Sequence, residues 1–303
     1  MNANLKNVAR CSDASGLETR EESEACVPTE TPGIELDGTR MRARCTSSRF
    51  RRVCKTLEWV LGRRRISGKA LEIIIGHCTC VSLLNRYSLS MFDAVCKFIR
   101  CHYNSNSYIW KSVREELLSS KSIMILLESD WKLSWNSTLV CTDACSSGYG
   151  VVLSQASPDL ISKVGRVKVR ARFKSTTITR ACERALSKPW SPSEELECPF
   201  EELIEVDEDS PEVPSHILTG NVWEVVDVAA FERQDKIHAL EARAVVPGVI
   251  KMIDRGDWKQ CRALLLSDNV ATVLSMCCSR ARDYKLLLQV RRLCSLCCVL
   301  ASS

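Results

Sequence analysis

The sequence has no run of about 18 apolar residues, which excludes a membrane-spanning helix. Its amino terminus, "MNANLKNVARC", lacks the apolar segment of a secretory signal, so an intracellular location, cytoplasm or nucleus, is expected. It also lacks the paired cysteine spacing of a closed zinc site. Of 18 cysteines, only Cys294 and Cys297 form a CxxC, and that pair sits in a run of Leu and Val. The clusters Cys78/Cys80 and Cys277/Cys278 lie within apolar periodic segments, as core thiols do. A disulfide scaffold is excluded because such chains are short and this one has 303 residues. His77 and His102 have no partner ligand at metal spacing, and no internal repeat is present.

What is present is enough apolar material, 45% of residues, for one or two cores, and a modest net charge of +5 that is unevenly spread. Residues 1–31 are polar and aperiodic and read as a disordered extension. "GIELDGTRMRARC" alternates around Asp37-Gly38, a hairpin signal. Arg40 to Lys69 holds eleven Lys or Arg and one acid, Glu58. Such a stripe suits a phosphate backbone, or it is the solvated face of a helix. Arg51, Arg52, Arg63, Arg64 and Arg65 are its candidate phosphate contacts.

Helical periodicity begins at Ser67, with Leu71, Ile74, Ile75 and Cys78 on one face. Leu89, Phe92, Val95, Cys96 and Ile99 repeat the pattern, with Ser88 or Ser90 as a cap, and a third helix is expected near Trp110 to Leu118. "GRVKVRARFK" alternates as a half-buried strand, with Lys168, Arg170, Arg172 and Lys174 on its outer face. Glu194 to Glu212 carries ten acids and reads as a solvated loop whose charge can screen that strand. A strand over Val222–Phe231, a helix interrupted at Pro247, a strand "CRALLLSDN" and two closing helices complete the chain.

"STLVCTDACSSGYGVVLS", Ser137 to Ser154, reads as a hairpin about a Ser-Ser-Gly turn. On period-2 spacing Leu139, Cys141 and Asp143 share one face. An ionised carboxylate ending an apolar row needs something positive over it, a cation side chain or a metal ion. Two more acids fall at telling places. Glu241 lies in the first turns of the helix after the third strand, and Asp268 ends the fourth, where open α/β sheets collect ligands. If the helix packs across the sheet, the three converge, and hard cations such as Mg²⁺ or Mn²⁺ would offset their charge. The alternatives are ordinary. Asp143 could cap a turn or pair with the basic strand, Glu241 could pair with Lys236 or Arg243, and Asp268 could cap the next helix.

"TDACSSGYGVVLS", "HALEARAV" and "LLLSDN" resemble the first three acidic motifs of the ribonuclease H domain of retroelement reverse transcriptase polyproteins. "PGIELDGTRMR" is similar to the strand pair following a reverse transcriptase active site. "RRRISGKALEIIIGHCTCVSLLNRYSLSMFDAVCKFI" is similar to thumb or connection helices of the same polyproteins. The resemblance implies an α/β, ribonuclease H-like mixed sheet with flanking helices over 131–303, C-terminally truncated and carrying a disordered acidic insertion near 188–220. A small helical thumb- or connection-like region over 32–130 precedes it. It implies Asp143, Glu241 and Asp268 as catalytic metal ligands for Mg²⁺ or Mn²⁺. The partner it implies is an RNA–DNA hybrid or another nucleic acid, with the RNA strand as the substrate of an endonuclease. Departures from the pattern temper this. No Tyr-x-Asp-Asp polymerase motif is present, and 98 residues (241 minus 143) separate the first two acids. The family's fourth acid, in an Asn-x-x-Asp-like stretch, is not met before Ser303, and Asp283 comes too early. Weak or absent cleavage is therefore the expectation for a retrotransposon-derived fragment. A non-catalytic nucleic-acid-binding remnant or a decayed reading frame without function is the alternative.

Overall fold

The computed structural model describes residues 29–31, 33–167, 169–175, 204–206, 211–220 and 222–302, with backbone only at 170, 171, 173–175, 204–206 and 299–302. The chain divides into two compact units, Met1–Leu133 with Cys297–Ser303, and Ser134–Leu296. No helix among the described residues is long and apolar enough to cross a membrane.

The first unit contains β1 (Thr29–Thr31), β2 (Ile34–Asp37), β3 (Arg42–Cys45), α1 (Ser47–Leu61), β4 (Arg65–Ser67), α2 (Gly68–Ser82), α3 (Asp93–Cys101), β5 (Asn106–Tyr108), α4 (Lys111–Ile123) and β6 (Glu128–Asp130). Thr29–Thr31, within the expected extension, pair with β2; residues 1–28 lie outside the described residues. The β2–β3 hairpin forms where Asp37-Gly38 places it. The Asp37 Oδ1 accepts from the amides of Thr39 and Arg40 at 3.0 and 2.8 Å, the side-chain-to-backbone bonding that makes Asp a turn residue. The helix after Ser67 buries Leu71, Ile74, Ile75 and Cys78, as its spacing predicts, and Ser67 caps it.

The second periodic segment differs from expectation. It opens as a 3₁₀ helix over Arg86–Phe92 before α3 begins. Ser88 and Ser90 do not cap α3. Their hydroxyls donate to the carbonyls of Asn85 and Tyr87, each three residues back, at 2.8 Å. That local competition tightens the turn. The first amides of α3 are instead met by a buried carboxylate from α4: Glu116 accepts from Ala94 and Val95, both at 2.9 Å. An anion at a helix amino terminus is doubly favoured, by the free amides and by the helix dipole. Glu116→Ala is therefore expected to lower unfolding free energy by about 1.5–3 kcal/mol, the range for bonds to a charged group. Urea denaturation checks it, and a loss near zero would mean water serves these amides equally well.

The second unit contains β7 (Trp135–Ala144), β8 (Gly148–Gln155), α5 (Pro158–Gly165), β9 (Phe173–Ser175), β10 (Ile204–Val206), α6 (Ser215–Thr219), β11 (Glu224–Ala230), α7 (Ile237–Asp254), β12 (Arg262–Leu266), α8 (Val270–Cys278) and α9 (Tyr284–Ser302), which runs on past the unit's end. It is a mixed α/β fold about a four-stranded sheet ordered β11-β8-β7-β12. The first three strands are antiparallel neighbours, and β12 joins β7 in parallel. Strand alternation divides the core. On one face Leu139 packs with Ile161 of α5, Ile217 of α6 and Leu264. On the other, Val140, Thr142 and Val151 meet α7 at Gly248, where a Cβ would lie 3.2 Å from a Thr142 methyl. Glycine lets the helix sit close against the strand that carries Asp143.

Three expectations are corrected in this unit. Val167 and Val169–Arg172 do not form a strand. α5, capped by Ser157 with Pro158 in its first turn, takes the chain to Gly165, and a 3₁₀ helix follows over Val169–Arg172. Among the described residues of this stretch, Phe173–Ser175 alone finds a ladder, with β10, and unpaired backbone does not hold a strand however well its side chains alternate. Lys168 lies outside the described residues, as does most of the acidic stretch. Second, the acidic insertion near 188–220 closes in ordered structure, because α6 delivers Ile217 into the core. Third, Pro247 does not interrupt α7, which runs unbroken from Ile237 to Asp254. Proline removes one amide from the ladder, but buried residues on both sides, from Ala239 to Met252, offset that loss.

Candidate metal centre

The parallel pairing of β12 with β7 sets Leu266 beside Cys141. Both strands therefore finish at the same end of the sheet, with Asp143 on one and Asp268 just past the other. α7 crosses this end and supplies Glu241. One carboxylate oxygen from each of the three lies within 4.8 Å of the others. The sequence-derived convergence is thus present in the geometry.

The burial is redistributed from what the sequence suggests. Asp143, expected beneath a compensating charge, is exposed, as is Asp268, while Glu241 is only 4% exposed. The row Leu139, Cys141, Asp143 passes from buried to half-buried to open as β7 reaches the sheet's rim. Glu241 comes from the helix on the sheet's other face. A backbone hydrogen bond from Ala144 reaches its carboxylate, but its Oε2 is buried without a partner. Burial pushes the Glu241 carboxyl up to about 7, and the like charges of Asp268 and Asp143 push the same way. The field extends to Cys141. Its thiol is raised first by burial and then by Asp143, Asp268 and Glu241.

The ordinary alternatives are not met. Arg243 pairs with Asp235 at 3.0 Å, Lys285 joins the same carboxylate, and among the described residues neither Arg243 nor Lys236 forms an ion pair with Glu241. The cap of α8 is Asn269, whose side chain accepts from Thr272 at 3.0 Å, leaving Asp268 free. The Thr272 hydroxyl in turn donates to the His238 carbonyl at 3.1 Å, tying α8 to the start of α7. His238 pairs with Asp283 at 3.7 Å rather than joining the acids. Asp283 accepts from the amides of Lys285 and Leu286, capping α9. Among the described residues no ion pair involves Asp143, Glu241 or Asp268. Three oxygen donors at this spacing, one of them buried and unsatisfied, fit a hard divalent cation, so the cluster is a candidate divalent-metal site.

Of the basic residues singled out in sequence, Arg51 and Arg52 on α1 and Arg63, Arg64 and Arg65 after it are exposed in the first unit. In the second, Arg172 pairs with Glu212 of the acidic stretch at 2.8 Å, the screening that the charge pattern suggests. The Lys168 and Arg170 side chains lie outside the described residues. Cys78 and Cys297 are thiols that burial raises to about 12. Two contributors to the acidic site escaped the sequence reading. The Ala144 amide is backbone and carries no residue signal. Cys141 stood in the noted row, but its place in the acids' field depends on tertiary distance.

No family model matches the sequence, and no curated protein matches it. Solved structures that overlap it include two. One is the foamy viral protease-reverse transcriptase in complex with dsDNA, at 11% identity and a TM-score of 0.28, over 82% of this chain and 46% of that one. The other is the foamy viral protease-reverse transcriptase in complex with an RNA/DNA hybrid, at 9% identity and a TM-score of 0.25, over 88% and 48%. The chain spans slightly under half the length of these solved chains.

Proposed function

We propose that the second unit is a ribonuclease H-type domain of retroelement reverse-transcriptase descent, acting on the RNA strand of an RNA–DNA hybrid. The observation that carries the reading is the convergence of Asp143, Glu241 and Asp268, from three separate elements, to within 4.8 Å. These residues would hold Mg²⁺ or Mn²⁺, whose contribution when bound is to activate water and offset charge on the phosphodiester. Glu241 must release the proton its burial favours before it can serve as a ligand. Asp143 and Asp268 face solvent, the side from which a phosphate backbone would approach. The 2′-hydroxyl is the group by which RNA is told from DNA.

The basic residues supply the remaining part. Arg51, Arg52, Arg63, Arg64 and Arg65 in the first unit, which we read as thumb- or connection-like, would neutralise phosphates and release counterions. In the second unit Lys168, Arg170 and Arg172 are assigned the same task, with Arg172 first having to leave Glu212. Slow turnover is expected. The acidic cluster among the described residues has three members, and Asp283 already caps α9 and pairs with His238.

The test is incubation of the pure chain with a hybrid duplex in Mg²⁺ and, separately, in EDTA, with both strands resolved on a gel. The expected outcome is Mg²⁺-dependent nicking of the RNA with the DNA strand intact. Cleavage that persists in EDTA, or that cuts both strands, would overturn the reading.

A further inference from the structure

We infer that the first unit carries a stacking ledge for single-stranded nucleic acid, built from the exposed rings of Trp59 and Tyr108 and the arginines laid over them. The inference takes its class of partner from the nucleic-acid reading above, but it is independent of the acidic site.

Trp59 lies in the last turn of α1 and is 50% exposed; Tyr108 ends β5 and is 63% exposed. The Trp59 ring is not core surface left over from packing, since α1 buries Val53, Leu57 and Val60 on its other side. Each ring carries a guanidinium. The Arg63 Cζ is 4.1 Å from the Trp59 ring centroid, and the Arg65 Cζ is 4.0 Å from that of Tyr108.

The backbone between the two pairs is held firmly. Arg65 and Tyr108 are direct partners in the β4–β5 ladder. Ile109 donates to the Arg64 carbonyl at 3.0 Å, and Gly62 to that of Glu58 at 3.0 Å. The Arg114 guanidinium donates to the Leu61 carbonyl at 2.6 Å and also to the Arg63 carbonyl. Three consecutive arginines therefore have a fixed main chain and exposed side chains.

This arrangement suits unpaired bases. A ring with an arginine beside it offers a π-face to a base, while the guanidinium offers planar donors to the adjoining phosphate. The charge agrees. Arg51, Arg52 and Lys55 are exposed on the same helix, and its acid, Glu58, pairs with Lys121 at 2.7 Å. Within a duplex the bases stack on one another, and away from its two ends it has no free face for Trp59 or Tyr108. It could use only the arginines.

The measurement is fluorescence anisotropy of the full chain with a labelled oligothymidylate of about 20 nucleotides, longer than a single such binding site, in EDTA. Trp59→Ala and Tyr108→Ala should each weaken binding about tenfold, as loss of one stacked base does. Trp59→Phe, which keeps a ring, should stay within about threefold of the parent. Binding to a blunt DNA duplex should change little in either alanine variant. Unchanged oligothymidylate binding in both alanine variants overturns the ledge. So does an equal loss for single strand and duplex, or no single-strand binding by the parent chain. A deoxy probe in EDTA leaves Asp143, Glu241 and Asp268 out of the readout. Failure here is therefore separable from failure of the Mg²⁺-dependent cleavage test.

Discussion

Replacing Asp143 by asparagine is expected to lower Mg²⁺-dependent cleavage of a hybrid by at least about 100-fold, the scale seen when one preorganised electrostatic contact is lost. The substitution keeps side-chain shape and removes only the charge. Asp143 is exposed, so no packing is disturbed. The Glu241 carboxyl loses one of the like charges that raise it, so the unliganded fold should be as stable as the parent or slightly more so. Activity and melting temperature thus move independently, which separates a ligand from a structural residue. The measurement pairs single-turnover cleavage with thermal unfolding in EDTA. Cleavage that survives in Asp143→Asn removes that residue from the metal site. Cleavage lost together with the fold would make it structural instead.

Stability without metal should fall as pH rises from about 4.5 to about 7, and Glu241→Gln should abolish that slope. The sign follows from proton counting. The Glu241 carboxyl stands at about 7 in the folded chain against 4.5 as an ordinary glutamate. Between those values the folded protein holds a proton that the unfolded chain has released. The proton-linked stabilisation is therefore fully present below the lower value and lost as pH passes the upper one. The gap corresponds to at most about 3 kcal/mol. Divalent metal should act in the opposite direction, because it requires the carboxylate. The rise in melting temperature on adding Mg²⁺ should be larger at about pH 8 than at about pH 5, and absent in Glu241→Gln. Glutamine should also leave the metal-free protein more stable than the parent near neutral pH, since no buried charge then forms. A parent whose stability is flat between these pH values, or rises, would show that Glu241 ionises as freely as on the surface.

Much of the second unit was legible because its signals are local. The Ser-Ser-Gly turn between β-branched runs marks β7 and β8. The order of strand, strand, strand, helix and strand, read from apolar period, matches β7, β8, β11, α7 and β12. Misreadings occurred where a local pattern competes with a distant partner. "GRVKVRARFK" has the alternation of a strand, but a strand forms only where another lies beside it, and among its described residues that holds from Phe173 onward, in β9. Pro247 carries a strong helix-breaking signal, yet burial along both halves of α7 prevails. Ser88 and Ser90 had the chemistry of caps and made a 3₁₀ turn, while the true cap, Glu116, sits over twenty residues further along the chain.

The sequence by itself determined the identity and order of the three acids, the elements that carry them and the basic stretch ahead of them. Periodicity, turn chemistry and residue type are properties of neighbours along the chain. Tertiary structure alone decided which acid is buried and which cations are already engaged. It placed Glu241 under the sheet's end with an unpartnered oxygen and left Asp143 in the open. It drew Arg243 and Lys285 to Asp235, and it paired Arg65 with the ring of Tyr108. Desolvation and Coulomb interaction depend on distance in space and on what excludes water. Those distances join residues as far apart as Asp143 and Glu241, and they come into being only when α7 closes over the end of β7.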